Sequence, residues 1–167
     1  RDEVRDLLES LFVAELMAPS PEFWLVSPWI SDVPIIDNRA GGYVGLEPSW
    51  AKKRITLAEI LASNLNRNPE MKLRVITRPP DFASSRNFVS RLKTLVELNG
   101  DTSNLYLDAK RDSLHTKGLA TPSFAWMGSM NFTNNGIQVL DEAVKIETKP
   151  ETIAQFLISM ADSYLNH

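Results

Sequence analysis

His115, Lys117, Ser129 and Asn131 are residue types that together can hold and attack one phosphate. An imidazole is a nucleophile, an ammonium neutralises a phosphoryl oxygen, and a hydroxyl and an amide donate hydrogen bonds. The chain reads His115-Thr116-Lys117 and then Gly128-Ser129-Met130-Asn131. Side chains alternate faces along an extended strand, so His115 and Lys117 point the same way, and so do Ser129 and Asn131. Thr121-Pro122-Ser123, between the two pairs, has turn composition with apolar runs on both sides. A hairpin folded about Ser123 sets His115 opposite Asn131 and Lys117 opposite Ser129. A turn centred half a step away puts the two pairs on opposite faces.

Such a hairpin needs a sheet to carry it, and the rest of the chain alternates helices with strands. Val4, Leu7, Leu8, Leu11, Phe12 and Leu16 form a helical stripe over 2–17, so an N-terminal helix fills residues 1–18 until Pro19-Ser20-Pro21 ends it. Phe23 to Ile30 reads as an apolar strand with Pro28 at its exit. Residues 31–49 read as a mobile surface loop, a lid or substrate contact being the lesser alternative; Gly41-Gly42 and Gly45 do not form a phosphate-cradling G-x-G-x-x-G. A helix is expected over 50–66 and a strand over 71–77, closed by Arg78-Pro79-Pro80. Ser84-Ser85 introduces a third helix, with Phe88, Val89, Leu92, Leu95, Val96 and Leu98 inward and Asn99-Gly100 as its stop. A short strand over 104–108 precedes the motif hairpin at 114–131. A helical turn is expected over 131–138, 142–148 alternate as a half-buried strand, and Pro150 starts a last helix. This order implies an α/β class: one domain over 1–167, a central mixed β-sheet with helices on both faces, and ligands gathered at strand ends.

Composition narrows the function. With 167 residues the chain encloses a core of its own, and 43% hydrophobic with 23% charged residues is ordinary for a globular protein. There is no cysteine, which excludes disulfides, thiol catalysis and cysteine-ligated metals. The two histidines are His115 and the terminal His167, so a histidine-rich metal site is not expected. No run approaches the ~18 apolar residues of a membrane span, no signal-peptide pattern opens the chain, and no basic amphipathic helix announces a membrane surface. A cytoplasmic, bacterial protein is expected. The first residue is Arg1 rather than methionine, so an upstream segment is expected as well. A net charge of −3 argues against coating nucleic acid by bulk electrostatics. The clusters Lys52-Lys53-Arg54, Arg86/Arg91/Lys93 and Lys110-Arg111 read first as solvated faces and helix ends. Lys110-Arg111, just before the His115 strand, is the best candidate to flank a polyanion groove.

The spacing resembles the H-x-K signature of the phospholipase D superfamily, whose usual form is H-x-K-x(4)-D followed by G-S-x-N. His115, Lys117, Gly128, Ser129 and Asn131 match it, and Glu142 stands where a downstream acid is often found. Pro122 replaces the motif aspartate. Leu25-Val26-Ser27-Pro28-Trp29-Ile30 is similar to the family's first core strand and its exit. The resemblance implies a phosphodiesterase that uses no metal or other cofactor. His115 would attack phosphorus and form a phosphohistidine, Lys117 would stabilise transition-state charge, and Asn131 would donate to a phosphoryl oxygen. Ser129 would do the same or cap the turn at 131–134. Glu142, with Asp141 as rival, would fix the His115 tautomer. Trp29 would line the site mouth, while Phe124 and Trp126 belong to the core.

Phosphodiester cleavage in two steps needs a second group to protonate the leaving oxygen, and no other internal histidine exists. An isologous homodimer with one shared active site, as in single-motif members of the superfamily, therefore follows. The first reading is a nuclease on DNA or RNA. The alternatives are a catalytically silent module that binds nucleic acid or a partner protein, conceivable in a bacterial DNA-modification or anti-phage system, and a phospholipid phosphodiesterase.

Overall fold

A computed structural model describes residues 3–128, 131–133 and 144–165. Helix α1 (Glu3–Met17) leads into β1 (Glu22–Val26), a short pair β2 (Pro34–Asp37) and β3 (Arg54–Thr56), then α2 (Leu57–Arg67) and β4 (Lys72–Ile76). Helix α3 (Ala83–Glu97) and β5 (Leu105–Asp108) follow, then β6 (Gly118–Thr121), β7 (Phe124–Gly128), β8 (Val144–Glu147) and α4 (Pro150–Tyr164). Six strands form one sheet in the order β5-β4-β1-β6-β7-β8. β5, β4 and β1 are mutually parallel, while β6, β7 and β8 continue antiparallel, so the sheet is mixed as expected.

Alternation along the strands divides two cores. Phe23 and Leu25 of β1, Leu73 and Val75 of β4, Leu119 of β6 and Trp126 of β7 enter the larger core under α1, α2 and α3. Trp24, Val26, Ile76, Ala120 and Ala125 face the other way, onto Ile153 and Met160 of α4. This is the period-two pattern of a sheet buried on both faces. Phe12 of α1 stacks on Phe23 with ring centroids 5.6 Å apart. Phe124 and Trp126 are buried, in line with a core role.

Some boundaries differ from the sequence expectation. β1 stops at Val26, four residues early, because Ser27-Pro28-Trp29 bends away and Pro28 has no N–H for a ladder. The expected loop at 31–49 contains β2, which pairs antiparallel with β3; a run as short as Pro34-Ile35-Ile36 carries too little periodicity to be read. The rest of that loop is fastened by the fully buried Asn38. Its amide donates to Ala51 O at 3.0 Å and its Oδ1 accepts from Tyr43 N at 2.9 Å, an arrangement unlike a simple lid. The second helix begins at Leu57 rather than residue 50, after Thr56. The Glu59 carboxylate takes both the Thr56 N–H and its hydroxyl at 3.1 Å, a T-x-x-E start. Helix α3 ends as expected: Gly100 takes φ +87° and donates to Glu97 O. The expected helical turn over 131–138 lies mostly outside the described residues.

Candidate active site

Strand direction collects the chemistry at one edge of the sheet. Val26 pairs with Gly118 and Ile76, and Ile76 pairs with Asp108, so the exits of β1, β4 and β5 and the start of β6 lie side by side. Gly128, the exit of β7, lies at the same edge, next to the residue pair Gly118 and Met127. This is where parallel strands gather ligands.

His115 and Lys117 reach this edge immediately before β6. His115 is exposed and Lys117 half-buried, and the Lys117 ammonium lies 3.2 Å from the His115 carbonyl oxygen. Gly118, the next residue, is obligatory on space: a Cβ there would stand 2.4 Å from the Trp126 carbonyl oxygen. The close approach of β6 to β7 therefore fixes the strand that Lys117 leads into.

The register differs from the expectation by half a step. Thr121 pairs with Phe124, so the hairpin turns on Pro122 and Ser123 rather than about Ser123 alone. Lys117 then lies opposite Gly128, whose N–H donates to Lys117 O at 3.2 Å, and not opposite Ser129. Pro122 is the cause: its fixed φ suits the first corner of a two-residue turn, and among the described residues none other than glycine has positive φ. Pro122 itself is exposed at the opposite end of the hairpin from Lys117. The position of the family aspartate is thus a solvent-facing turn.

Asn131 arrives by another route. Instead of facing His115 across the hairpin, it lies against the exit of β1. Its Oδ1 is 3.2 Å from the Ser27 hydroxyl and accepts from Trp29 N at 3.4 Å. The next residue, Phe132, bridges Ile30 in parallel, and its carbonyl accepts from Ser31 N at 2.8 Å. A backbone N–H can only donate, so the amide atom beside Trp29 is oxygen, and the NH₂ group is turned away from β1. Ser129, Glu142 and Asp141 lie outside the described residues.

The remaining predicted residues divide. Trp29 is half-buried at the edge, with the Arg78 guanidinium 5.4 Å from its ring centroid, a cation–π distance. Lys110 is exposed beside the exit of β5. Arg111 is engaged: its Nε binds Asp108 at 2.7 Å, its NH2 donates to the Tyr164 carbonyl at 3.0 Å, and it stacks over the Tyr164 ring. Asp108 accordingly holds the Arg111 guanidinium above its ordinary pKa. Arg111 ties the end of α4 to the sheet, where a cation also suits the helix dipole. Of the other basic residues, Arg91 pairs with Asp32 and Lys53 with Glu59.

Three residues at the site carry no distinctive sequence signal. Ser27, fully buried, lies 2.9 Å from Trp29 O as well as beside Asn131, with one proton to donate between them. Thr77 donates to Pro28 O at 3.1 Å, fastening the bend after β1 to the exit of β4. Among the described residues the Arg78 guanidinium pairs with no carboxylate and lies over Trp29. The one hint was a polar residue closing each apolar strand run. No three His, Asp or Glu side chains among the described residues converge as metal ligands.

Comparison with known proteins places this architecture. Nuc from Salmonella typhimurium, a phospholipase D family member, superimposes with a TM-score of 0.58 at 14% identity, over 92% of this chain and 84% of that one. The chain has the phospholipase D fold. NucT from Helicobacter pylori matches that fold with a TM-score of 0.57 at 16% identity, covering 98% of this chain and 89% of that one. TrmBL2, an archaeal chromatin protein described with a novel mode of DNA binding, matches over 93% of this chain and 48% of its own, with a TM-score of 0.50 at 12% identity. No protein-family model and no curated protein matches the sequence. Among the described residues, no helix is long and apolar enough to cross a membrane.

Proposed function

We propose that the protein is a phosphodiesterase that cleaves a nucleic acid strand through a phosphohistidine on His115. The observation that carries this reading is the joint position of His115, Lys117 and Asn131 at one sheet edge of a phospholipase D fold. The His115 ring attacks phosphorus, and the bond from phosphorus to the leaving ribose or deoxyribose oxygen breaks. His115 of the partner subunit gives that oxygen its proton. The same group then takes a proton from water, whose oxygen attacks phosphorus and breaks the bond to His115. Lys117 and the Asn131 NH₂ stabilise the charge that builds on the phosphoryl oxygens. The partner is required because the chain holds no second internal histidine. Lys110 and Trp29 extend the contact along the strand.

A module that binds DNA without cutting it is the second reading, favoured by the likeness to a chromatin protein. One panel separates them: single- and double-stranded DNA, RNA and phosphatidylcholine vesicles, all in EDTA. Cleavage of a nucleic acid that persists in EDTA and disappears in His115→Ala supports the proposal. Binding without cleavage supports the second reading. A fully active monomer in sedimentation would contradict the shared site.

A further inference from the structure

A cleft of about 360 Å³ opens beside Asn131, between Trp29 and the first turn of α3, and Ser31, Phe82, Ser84, Ser85 and Thr133 complete its wall. Ser31 and Ser85 are only 8% and 7% exposed, and among the described residues neither hydroxyl has a hydrogen-bond partner. Neither hydroxyl is sealed from solvent, since the enclosed partnerless side-chain atoms among the described residues are on Asn64 and Trp126. Here both face a cavity that a ligand can enter.

The adjoining helix end is also unsatisfied. Phe82 occupies the N-cap, no side chain caps α3, and its first turn carries no acidic residue. The N–H groups of Ala83, Ser84 and Ser85 have no partner within the helix, and the positive end of a 15-residue helix points the same way. Asp81, the nearest acid in sequence, does not line the cleft. Hydroxyls with backbone N–H donors and no carboxylate are the chemistry of a phosphate site. Phe82, 59% exposed, adds an aromatic face at the lip, which suits a nucleoside.

We propose that this cleft binds a second phosphate of the substrate strand, next to the one held by His115, Lys117 and Asn131. The inference rests on the phosphodiesterase reading and specifies its substrate class. A polynucleotide fills both positions, whereas a phospholipid with a single phosphodiester leaves the cleft empty. Asn131 connects the two, since it lines the cleft and belongs to the catalytic set.

The test is binding of fluorescein-labelled octathymidylate to the full chain carrying His115→Ala, which prevents turnover. Adding Ser84→Glu places a carboxylate in the cleft and also complements the helix dipole, so the Tm stays level or rises. The expected result is a Kd raised at least tenfold by Ser84→Glu and about threefold by Ser85→Ala. Ser90→Glu, the same charge further along α3, stays within twofold. Equal affinity with and without Ser84→Glu, equal weakening by Ser90→Glu, or no binding of the oligonucleotide at all overturns the subsite. Wild-type protein is assayed for cleavage of the same oligonucleotide. Binding that responds to Ser84→Glu without any cleavage supports the subsite and refutes the enzymatic reading.

Discussion

The side-chain oxygen of Asn131 accepts the backbone N–H of Trp29 at 3.4 Å, across 102 residues of chain. With the Ser27 hydroxyl at 3.2 Å, this contact orients the amide so that its NH₂ is the group left to meet a phosphate. Asn131→Asp keeps the acceptor and removes the donor. It is expected to lower kcat/KM by about 10²–10³, the usual loss for one transition-state donor, while the Tm holds. Asn131→Ala also breaks the link to β1, with an additional loss of about 1 kcal/mol in urea unfolding. Equal activity of wild type and Asn131→Asp would remove Asn131 from the chemistry.

Gly118 stands where β6 and β7 nearly touch, 2.4 Å from Trp126 O for any added Cβ. Gly118→Ala must push the hairpin open, at about 1–3 kcal/mol for an overpacked site. It displaces Lys117, so activity falls more than stability alone explains. Denaturant unfolding and kinetics on the same preparation check both; an unchanged Cm contradicts the packing.

Pro122→Asp restores the residue type found in the family motif. The position is an exposed turn at the far end of the hairpin, so the change is expected to leave kcat/KM within about threefold, the size of a surface substitution of ±0.5 kcal/mol. A gain of a hundredfold would mean that the turn, or a partner subunit reaching it, takes part in catalysis.

Glu15 tests the fold by pH. Burial pushes its carboxyl above the ordinary value, opposed by hydrogen bonds from the Ser20 hydroxyl at 2.7 Å and the Ser20 N–H at 3.1 Å. The folded state therefore holds the proton more tightly than the unfolded chain. Stability falls as pH rises from the unfolded value through the folded one, and above both the buried charge is a net penalty. Glu15→Gln is expected to raise the Tm at pH 7, with the advantage shrinking as pH falls from the folded value towards the unfolded one and gone below the unfolded value. A lower Tm for Glu15→Gln at pH 7 contradicts this sign.

The architecture was legible where periodicity was long. Leu8, Phe12 and Leu16, or Phe88, Val89, Leu92 and Val96, show their inward faces in the sequence and are buried in the structure. The β2–β3 pair escaped because three or four residues cannot establish a period, and its pairing spans a loop. His115 and Lys117 were legible as chemistry because their types and spacing suffice. Their relation to Asn131 was not, since it depends on a half-step of hairpin register and on a long-range contact to Ser27 and Trp29. Arg78 and Ser85 have no local signature; only folding brings one over Trp29 and the other to the wall beside Asn131.

The most direct measurement is intact and peptide mass spectrometry of the protein quenched in denaturant at alkaline pH during turnover of a DNA oligonucleotide in EDTA. A nucleotidyl adduct is expected on the peptide containing His115, chased by water and absent in His115→Ala. Full cleavage by His115→Ala would contradict it.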